Sequence, residues 1–264
     1  MNFSQPSILL LGGFLKEEEF TKFCEANFKD RGNITYSPLN PLRDVYIGNV
    51  FIQRRNRKKN LERLLGSYDY VITVDSCYWG DIADVASRKN LPYIAFIYKN
   101  NEFIKKLEVN SDIQSSVLIA QTDFDDDKNT CKEIEEKQFN RCLLLCRELI
   151  NFLSCCESSS FSFERVRDCL INKKACFLGM AQAIGENRAK RAMREAVKVS
   201  QCPHKADASF AFVSGKNITV REKDSIRHHL IHLCKNQTVP LEVFCTEDPT
   251  LGSAINIFFL GIFC

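Results

Sequence analysis

Short apolar runs alternate with segments of helical period along most of this chain, and that alternation restricts the fold more than any single motif. Residues 7–11 (SILLL) lead into Gly12-Gly13, and in the segment 16–28 that follows, Phe20, Phe23, Cys24 and Phe28 fall at helical spacing. The pattern predicts strand, turn and helix. Residues 33–36 and 44–52 have strand-like content, 61–65 read as a helix end, and 68–74 (YDYVITV) read as a buried strand. Residues 81–89 return to helical period, and 92–98 (PYIAFIY) form another strand. Elements of this length in this order predict a mainly parallel sheet with helices on both faces.

Residues 117–120 add a short strand, closed by the acidic turn 123–127. From 130 to 152 a long helix carries Ile134, Phe139, Cys142, Leu145, Cys146 and Leu149 along one face, and its length suits a spine between two domains. Ser158-Ser159-Ser160 interrupts the pattern, which places one domain at 1–158, helix included, and a second at 159–264. The second domain reads as helix 163–172, strand 175–180, helix 186–200, strand 208–214, helix 222–235 and closing strands 240–246 and 254–263. That is a smaller α/β layer.

Composition narrows the function classes. At 264 residues, 45% hydrophobic and 26% charged, the chain can bury one or two cores, and a formal net charge of +3 gives no global attraction to nucleic acid or membrane. Thirteen cysteines are an odd number, no C-x-x-C pair occurs, and Met1-Asn2-Phe3-Ser4-Gln5 lacks the basic and apolar regions of a leader. Reduced thiols in a cytoplasm are expected. Cys155-Cys156, and Cys142 with Cys146, read as buried small hydrophobes, and zinc is not indicated. The apolar run 255–264 is too short to span a bilayer and reads as a last strand.

Three further features have candidate roles. The basic run Arg54, Arg55, Arg57, Lys58 and Lys59, with Arg63 beyond it, could meet a protein or an anionic surface. No aromatics interleave with it as single-strand binding requires, so it reads as a solvated loop and nucleic acid is not expected. His228 and His232 stand at i, i+4, a spacing that can hold a metal. With no carboxylate or second cysteine pair beside them, a helix burying Ile226, Leu230, Leu233 and Cys234 and leaving both imidazoles near solvent is the expectation. Asp125-Asp126-Asp127 lacks EF-hand spacing and reads as a turn.

In residues 175–200, ACFLGMAQAIGENRAKRAMREAVKVS, the chain resembles FtsZ and the FtsZ/tubulin superfamily, whose members carry a strand, a small-residue turn and a G-E-[ND]-R-A helix start. Here that start is Gly185-Glu186-Asn187-Arg188-Ala189, read as a turn glycine followed by an acid in the helix's first turn. The order continues through Gly215-Lys216-Asn217-Ile218-Thr219-Val220 and Asp248-Pro249-Thr250-Leu251-Gly252, similar to the family's later strand end and turn. The resemblance implies a Rossmann-like parallel sheet domain, a long central helix and a smaller C-terminal α/β domain.

The family's GTP chemistry is not matched. Glycine-rich turns let backbone N–H groups close around phosphates. Where the family has a glycine run after the first strand, this chain has Gly12-Gly13 and then Phe14-Leu15-Lys16-Glu17-Glu18-Glu19, so carboxylates stand where a phosphate would sit. The tubulin signature loop corresponds to Asp75-Ser76-Cys77-Tyr78-Trp79-Gly80-Asp81, shorter and with one glycine, and a third glycine-rich stretch to the basic segment 53–60. Gly12, Gly13, Asp75, Cys77 and Gly80 are therefore degenerate nucleotide positions. The family's catalytic N-x-D-x-x-D segment falls on Ser160, Ser162 and Arg165, and neither Ser162 nor Arg165 polarises water as a carboxylate does.

The resemblance thus implies a pseudo-GTPase with no cofactor, docking on a protein partner, a true FtsZ or itself, and modulating a filament in cell division or the bacterial cytoskeleton. Arg165, carried to a neighbour's γ-phosphate, would cap rather than extend that filament. Two alternatives stay open: a GTPase with a rebuilt pocket holding GTP or GDP, and an adaptor reusing the fold to bind an unrelated protein or anionic surface. Family members extend past the last strand into a linker and a recruiting peptide, whereas this sequence stops at Cys264, so tail-mediated recruitment is not expected.

Overall fold

The structure, a computed structural model, describes residues 5–12, 16–38, 45–47, 50–53, 56–74, 79–97, 117–119, 131–155, 163–171, 175–200, 206–234 and 240–263. The turn 123–127 and the boundary at Ser158-Ser159-Ser160 lie outside them. The chain divides into two compact units, Met1–Leu118 with Asp123–Lys174, and Ile119–Thr122 with Ala175–Cys264.

The first unit runs β1 (Ile8–Gly12), α1 (Glu17–Phe28), β2 (Ile34–Pro38), β3 (Val45–Ile47), β4 (Val50–Ile52), α2 (Arg57–Leu65), β5 (Tyr70–Val74), α3 (Trp79–Arg88), β6 (Tyr93–Ile97), β7 (Val117–Ile119, its last residue falling in the second unit), α4 (Cys131–Cys155) and α5 (Phe163–Leu170). Strands β6-β5-β1-β2 are adjacent and parallel, with Leu10 set between Tyr36 and Ile72. Every residue of β1 and β5 is buried, as a sheet covered on both faces requires. On one face Leu9, Leu11 and Val71 pack with Leu61, Leu64 and Leu65 of α2 and Ile82, Val85 and Ala86 of α3. Side chains alternate along a strand, so Ile8 and Leu10 turn to the other face. Helix α4 packs against α1, β5 and β6, burying Phe139, Cys142, Leu145, Cys146 and Leu149 as its periodicity predicted. The side chain of Ile134 lies outside the described set.

One expectation for this unit is refined and another changes. Within 44–52 the described residues form two short antiparallel strands, β3 and β4, paired through Tyr46 opposite Phe51, whose rings lie 4.6 Å apart. The basic run is not all loop, because from Arg57 onward it is helix α2. Arginine and lysine are good helix formers, and Leu61, Leu64 and Leu65 supply the apolar face that fixes the helix to the sheet.

The second unit runs β8 (Ala175–Ile184), α6 (Arg188–Ser200), β9 (Ala208–Gly215), α7 (Val220–Leu233), β10 (Leu241–Glu247), a 3₁₀ turn (Pro249–Leu251) and β11 (Ala254–Phe263). Its strand order is β10-β9-β11-β8, with β10 parallel to β9 and β11 antiparallel to both β9 and β8. Strand β8 outruns the predicted 175–180 because it pairs with β11 along its whole length, from Ala175 opposite Phe263 to Ile184 opposite Ala254. Ala189, Ala192, Met193 and Ala196 of α6 and Ile226, Leu230 and Leu233 of α7 share one core with Ile255, Ile257 and Phe259. Alanine on α6 permits close approach, and Gly179 of β8 permits more. A Cβ there would run into the Ala196 carbonyl and lie 2.9 Å from the Ser200 Cβ.

Candidate functional site

In open parallel sheets, ligands bind outside the carboxyl ends of the strands. Here those ends are Gly12 of β1 and Val74 of β5, adjacent in register. Gly13, Asp75 and Cys77 lie outside the described residues, and Gly80 is the second residue of α3. Gly12 has a packing reason to be glycine. A Cβ on it would run into the Val74 carbonyl oxygen and lie 3.0 Å from the Phe20 ring.

Helix α1 opens beside this strand end with Glu17, Glu18 and Glu19 exposed in its first turn and no side-chain cap. The positive end of the helix dipole therefore faces its own carboxylates. Lys22 pairs with Glu18 at 2.6 Å, one turn along, and its ammonium holds the Glu18 carboxyl below the usual range. Lys16 is directed elsewhere, its Nζ 5.3 Å from the centre of the Phe139 ring on α4. At α2, Lys58 reaches Asp84 of α3 at 3.2 Å, and Arg88 reaches Glu62 at 2.7 Å, so these charges tie two helices together. Arg54 and Arg55 lie outside the described residues, as does Ser162, while Arg165 is the third residue of α5 with its side chain outside the described set.

A polar cluster in the second unit escaped the sequence reading. Arg188, at the head of α6, donates from Nε to Glu222 Oε1 at 2.7 Å, from Nη1 to the Ser253 carbonyl at 2.9 Å and from Nη2 to the Lys216 carbonyl at 3.0 Å. Glu222 also accepts from the Thr219 backbone N–H at 2.9 Å, while Thr219 Oγ1 accepts from the Glu222 N–H at 3.2 Å, a reciprocal capping box on α7. The Arg188 guanidinium, joined by the Thr219 bonds, holds the Glu222 carboxyl below its ordinary range against the opposing effect of burial. One guanidinium thus gathers the G-E-N-R-A start, the turn after β9 and the turn before β11. The capping box is legible as T-x-x-E, but its Arg188 partner, 34 residues away, is not.

The helix start itself is corrected. Glu186 is not in the first turn, because Gly185 (φ 80°) and Asn187 (φ 54°) hold a left-handed turn outside the helix, which begins at Arg188. Asparagine is among the few residues that enter this region at small cost. His228 and His232 are both exposed on α7 and Ile226, Leu230 and Leu233 are buried, as expected, whereas Cys234, expected to be buried with them, is half-buried at the helix's C-cap. Burial pushes the Cys24 thiol up to about 12, with a smaller contribution from Glu25, and burial raises Cys146 well above the ordinary range. Such thiols are poor nucleophiles at neutral pH.

No family model matches the chain, and no curated protein matches it. Solved structures do. An FtsZ W319Y mutant from M. jannaschii superposes with a TM-score of 0.76 at 11% identity, covering 98% of this chain and 91% of that one. CetZ2 from Haloferax volcanii, in a GTPγS-bound protofilament, gives 0.66 at 15% identity over 97% and 93%. TubZ from Bacillus thuringiensis serovar israelensis, in GDP-form protofilaments, gives 0.57 at 10% identity over 98% and 88%. The fold is FtsZ/tubulin-like over nearly the whole chain: a Rossmann-like parallel sheet domain, a long helix and a smaller C-terminal α/β domain. No described helix is long and apolar enough to cross a membrane.

Proposed function

Starting from an FtsZ/tubulin-like fold, we propose that this chain is a cytoskeletal pseudo-GTPase that docks on a filament-forming partner, a true FtsZ or a second copy of itself, and modulates its assembly in cell division. The observation that carries the reading is the head of α1. Three exposed glutamates stand there beside a Gly12 whose missing Cβ is explained by Val74 and Phe20. A polyphosphate brought to that strand end meets like charge, which at a few ångströms repels by about 1 kcal/mol per pair in water and more where water is excluded. The CetZ2 and TubZ structures that share the fold are protofilaments, which supports an assembly role. In the second unit, exposed Ile184 and Val220 flank the Arg188 cluster and provide apolar contact area for a partner.

Arg165 faces the partner's nucleotide in this reading and binds phosphate without activating water. The test has two arms. Protein purified from cells is denatured and its released nucleotide quantified, and GTP and GDP affinity is measured by equilibrium dialysis. No retained nucleotide and no binding at micromolar concentration are expected, whereas stoichiometric nucleotide overturns the pseudo-GTPase reading. Substoichiometric protein is then added to GTP-loaded FtsZ from the same cell. Shortened polymers and reduced GTP turnover support capping, and an Arg165→Asp variant indistinguishable from the parent refutes the role given to Arg165.

A further inference from the structure

The exposed face of α7 brings two imidazoles together in a way the assembly reading does not use. His232 Nε2 lies 3.0 Å from His228 Nε2, with the rings edge to face and their centroids 4.5 Å apart. Both side chains are exposed. Two nitrogens bound to one metal at about 2.0–2.1 Å stand about 3.3 Å apart in a tetrahedral site and about 2.9 Å apart at cis positions of an octahedral one. The observed separation lies between these values. The two nitrogens are therefore already spaced for one ion, and side-chain rotation on a fixed helix has to turn both lone pairs onto it.

We propose that His228 and His232 form a two-imidazole site for a divalent late-transition-metal ion, Zn²⁺, Ni²⁺ or Cu²⁺, with water or a partner's donor completing its coordination. Neutral imidazole suits these metals and not Mg²⁺ or Ca²⁺, which take oxygen ligands. In the metal-free pair, the tautomer of one ring decides which Nε2 faces the other as donor. A ring that coordinates through Nε2 carries its proton on Nδ1, so that both Nε2 lone pairs can reach the metal. No third His, Cys, Asp or Glu joins them among the described residues, so the site keeps open positions. His229, between them in sequence, is turned away, its Nδ1 3.2 Å from the Ser225 carbonyl. Among the cysteines of this unit, Cys234 and Cys245 are half-buried thiols raised by burial and compete poorly for metal at neutral pH.

The test is calorimetric titration of the full chain with NiCl₂. One ion per chain is expected, with affinity weakened at least tenfold in His228→Gln and in His232→Gln and unchanged within twofold in His229→Gln. Wild-type affinity in both of the first two variants, or no binding by the parent at millimolar Ni²⁺, overturns the proposal. A second measurement needs no variant to fold. In proton NMR of the parent, substoichiometric Ni²⁺ is expected to broaden two of the four imidazole signals first, and equal broadening of all four refutes the site.

Discussion

Replacing Arg188 by alanine tests whether the second unit depends on the polar cluster its motifs build. The substitution removes a charge-assisted pair to Glu222 at 2.7 Å and two carbonyl hydrogen bonds at 2.9 and 3.0 Å. The side chains of Arg188 and Glu222 are 14% and 20% exposed, so the pair is largely withdrawn from water and the surface-pair range of zero to about 1 kcal/mol does not apply. Hydrogen bonds to charged groups contribute about 1.5–3 kcal/mol net and neutral ones about 1, while the carbonyls partly recover water once the guanidinium is gone. The expected loss is about 2–4 kcal/mol. It is read by native-state hydrogen exchange at the β9 amides of Ala211 and Val213, where it accelerates exchange roughly 30- to 700-fold. A double-mutant cycle with Glu222→Gln should return a coupling of about 1–2 kcal/mol. Acceleration below about threefold, or a coupling near zero, refutes the view that Arg188 holds the three turns together.

The same pair sets a pH dependence. Arg188, with Thr219, depresses the Glu222 carboxyl in the folded state, so its contribution is present above the unfolded carboxylate value of about 4.3 and is lost as pH falls through the folded value. Exchange at β9, corrected for intrinsic rates, should rise on acidification in the parent and less steeply in Arg188→Ala. Gly12→Ala and Gly179→Ala should each cost about 1–3 kcal/mol, seen as lowered thermal midpoints, because the added methyl meets backbone. Gly32→Ala, with open space around it, should change the midpoint little, and equal effects at all three positions would contradict the packing account. Tyr93→Phe should cost about 1–3 kcal/mol by leaving the Thr73 hydroxyl, 2.8 Å from the Tyr93 hydroxyl, buried and unpaired. Adding Thr73→Val should restore most of that loss, and an unrecovered double variant would show that the cost lies elsewhere.

Periodicity made the elements of both units legible, because apolar runs bounded by turns identify strands whose whole surface is buried. It failed where a local signal was too short. Strands β3 and β4 have three residues each, so 44–52 reads only as strand-like content, and its division in two emerges once Tyr46 and Phe51 are seen opposite each other. The basic run hid its helix because charge masks period, and only the three leucines at its end mark the buried face. The α6 start moved by two residues because a glutamate after glycine looks like a helix N-terminus, whereas Asn187 holds the left-handed backbone just before it. Of the candidate nucleotide positions, Gly12 was legible as a glycine but not as one required by the Val74 carbonyl and the Phe20 ring, since its partners are brought in by sheet register and by α1.

A resemblance of sequence can be carried by residues that do chemistry or by residues that hold turns together, and the two kinds predict different things about function. In this chain two of the stretches that resemble FtsZ, Gly185–Ala189 and Gly215–Val220, meet at one guanidinium and one capping box in the second unit, and the third, Asp248–Gly252, ends one residue before the Ser253 carbonyl that the same guanidinium binds. Their residue types follow from local demands: glycine and asparagine where φ is positive, Thr219 and Glu222 for reciprocal capping, and Asp248 accepting from the Thr250 N–H at 3.0 Å to start the turn before β11. None of these demands involves a nucleotide. A chain can therefore keep these motifs while its phosphate loops change freely, because the free energy they supply goes into the second unit's own closure. That is why the G-E-N-R-A start identifies the scaffold and gives no support to GTP hydrolysis, which has to be judged at the strand ends beside Gly12 and Val74.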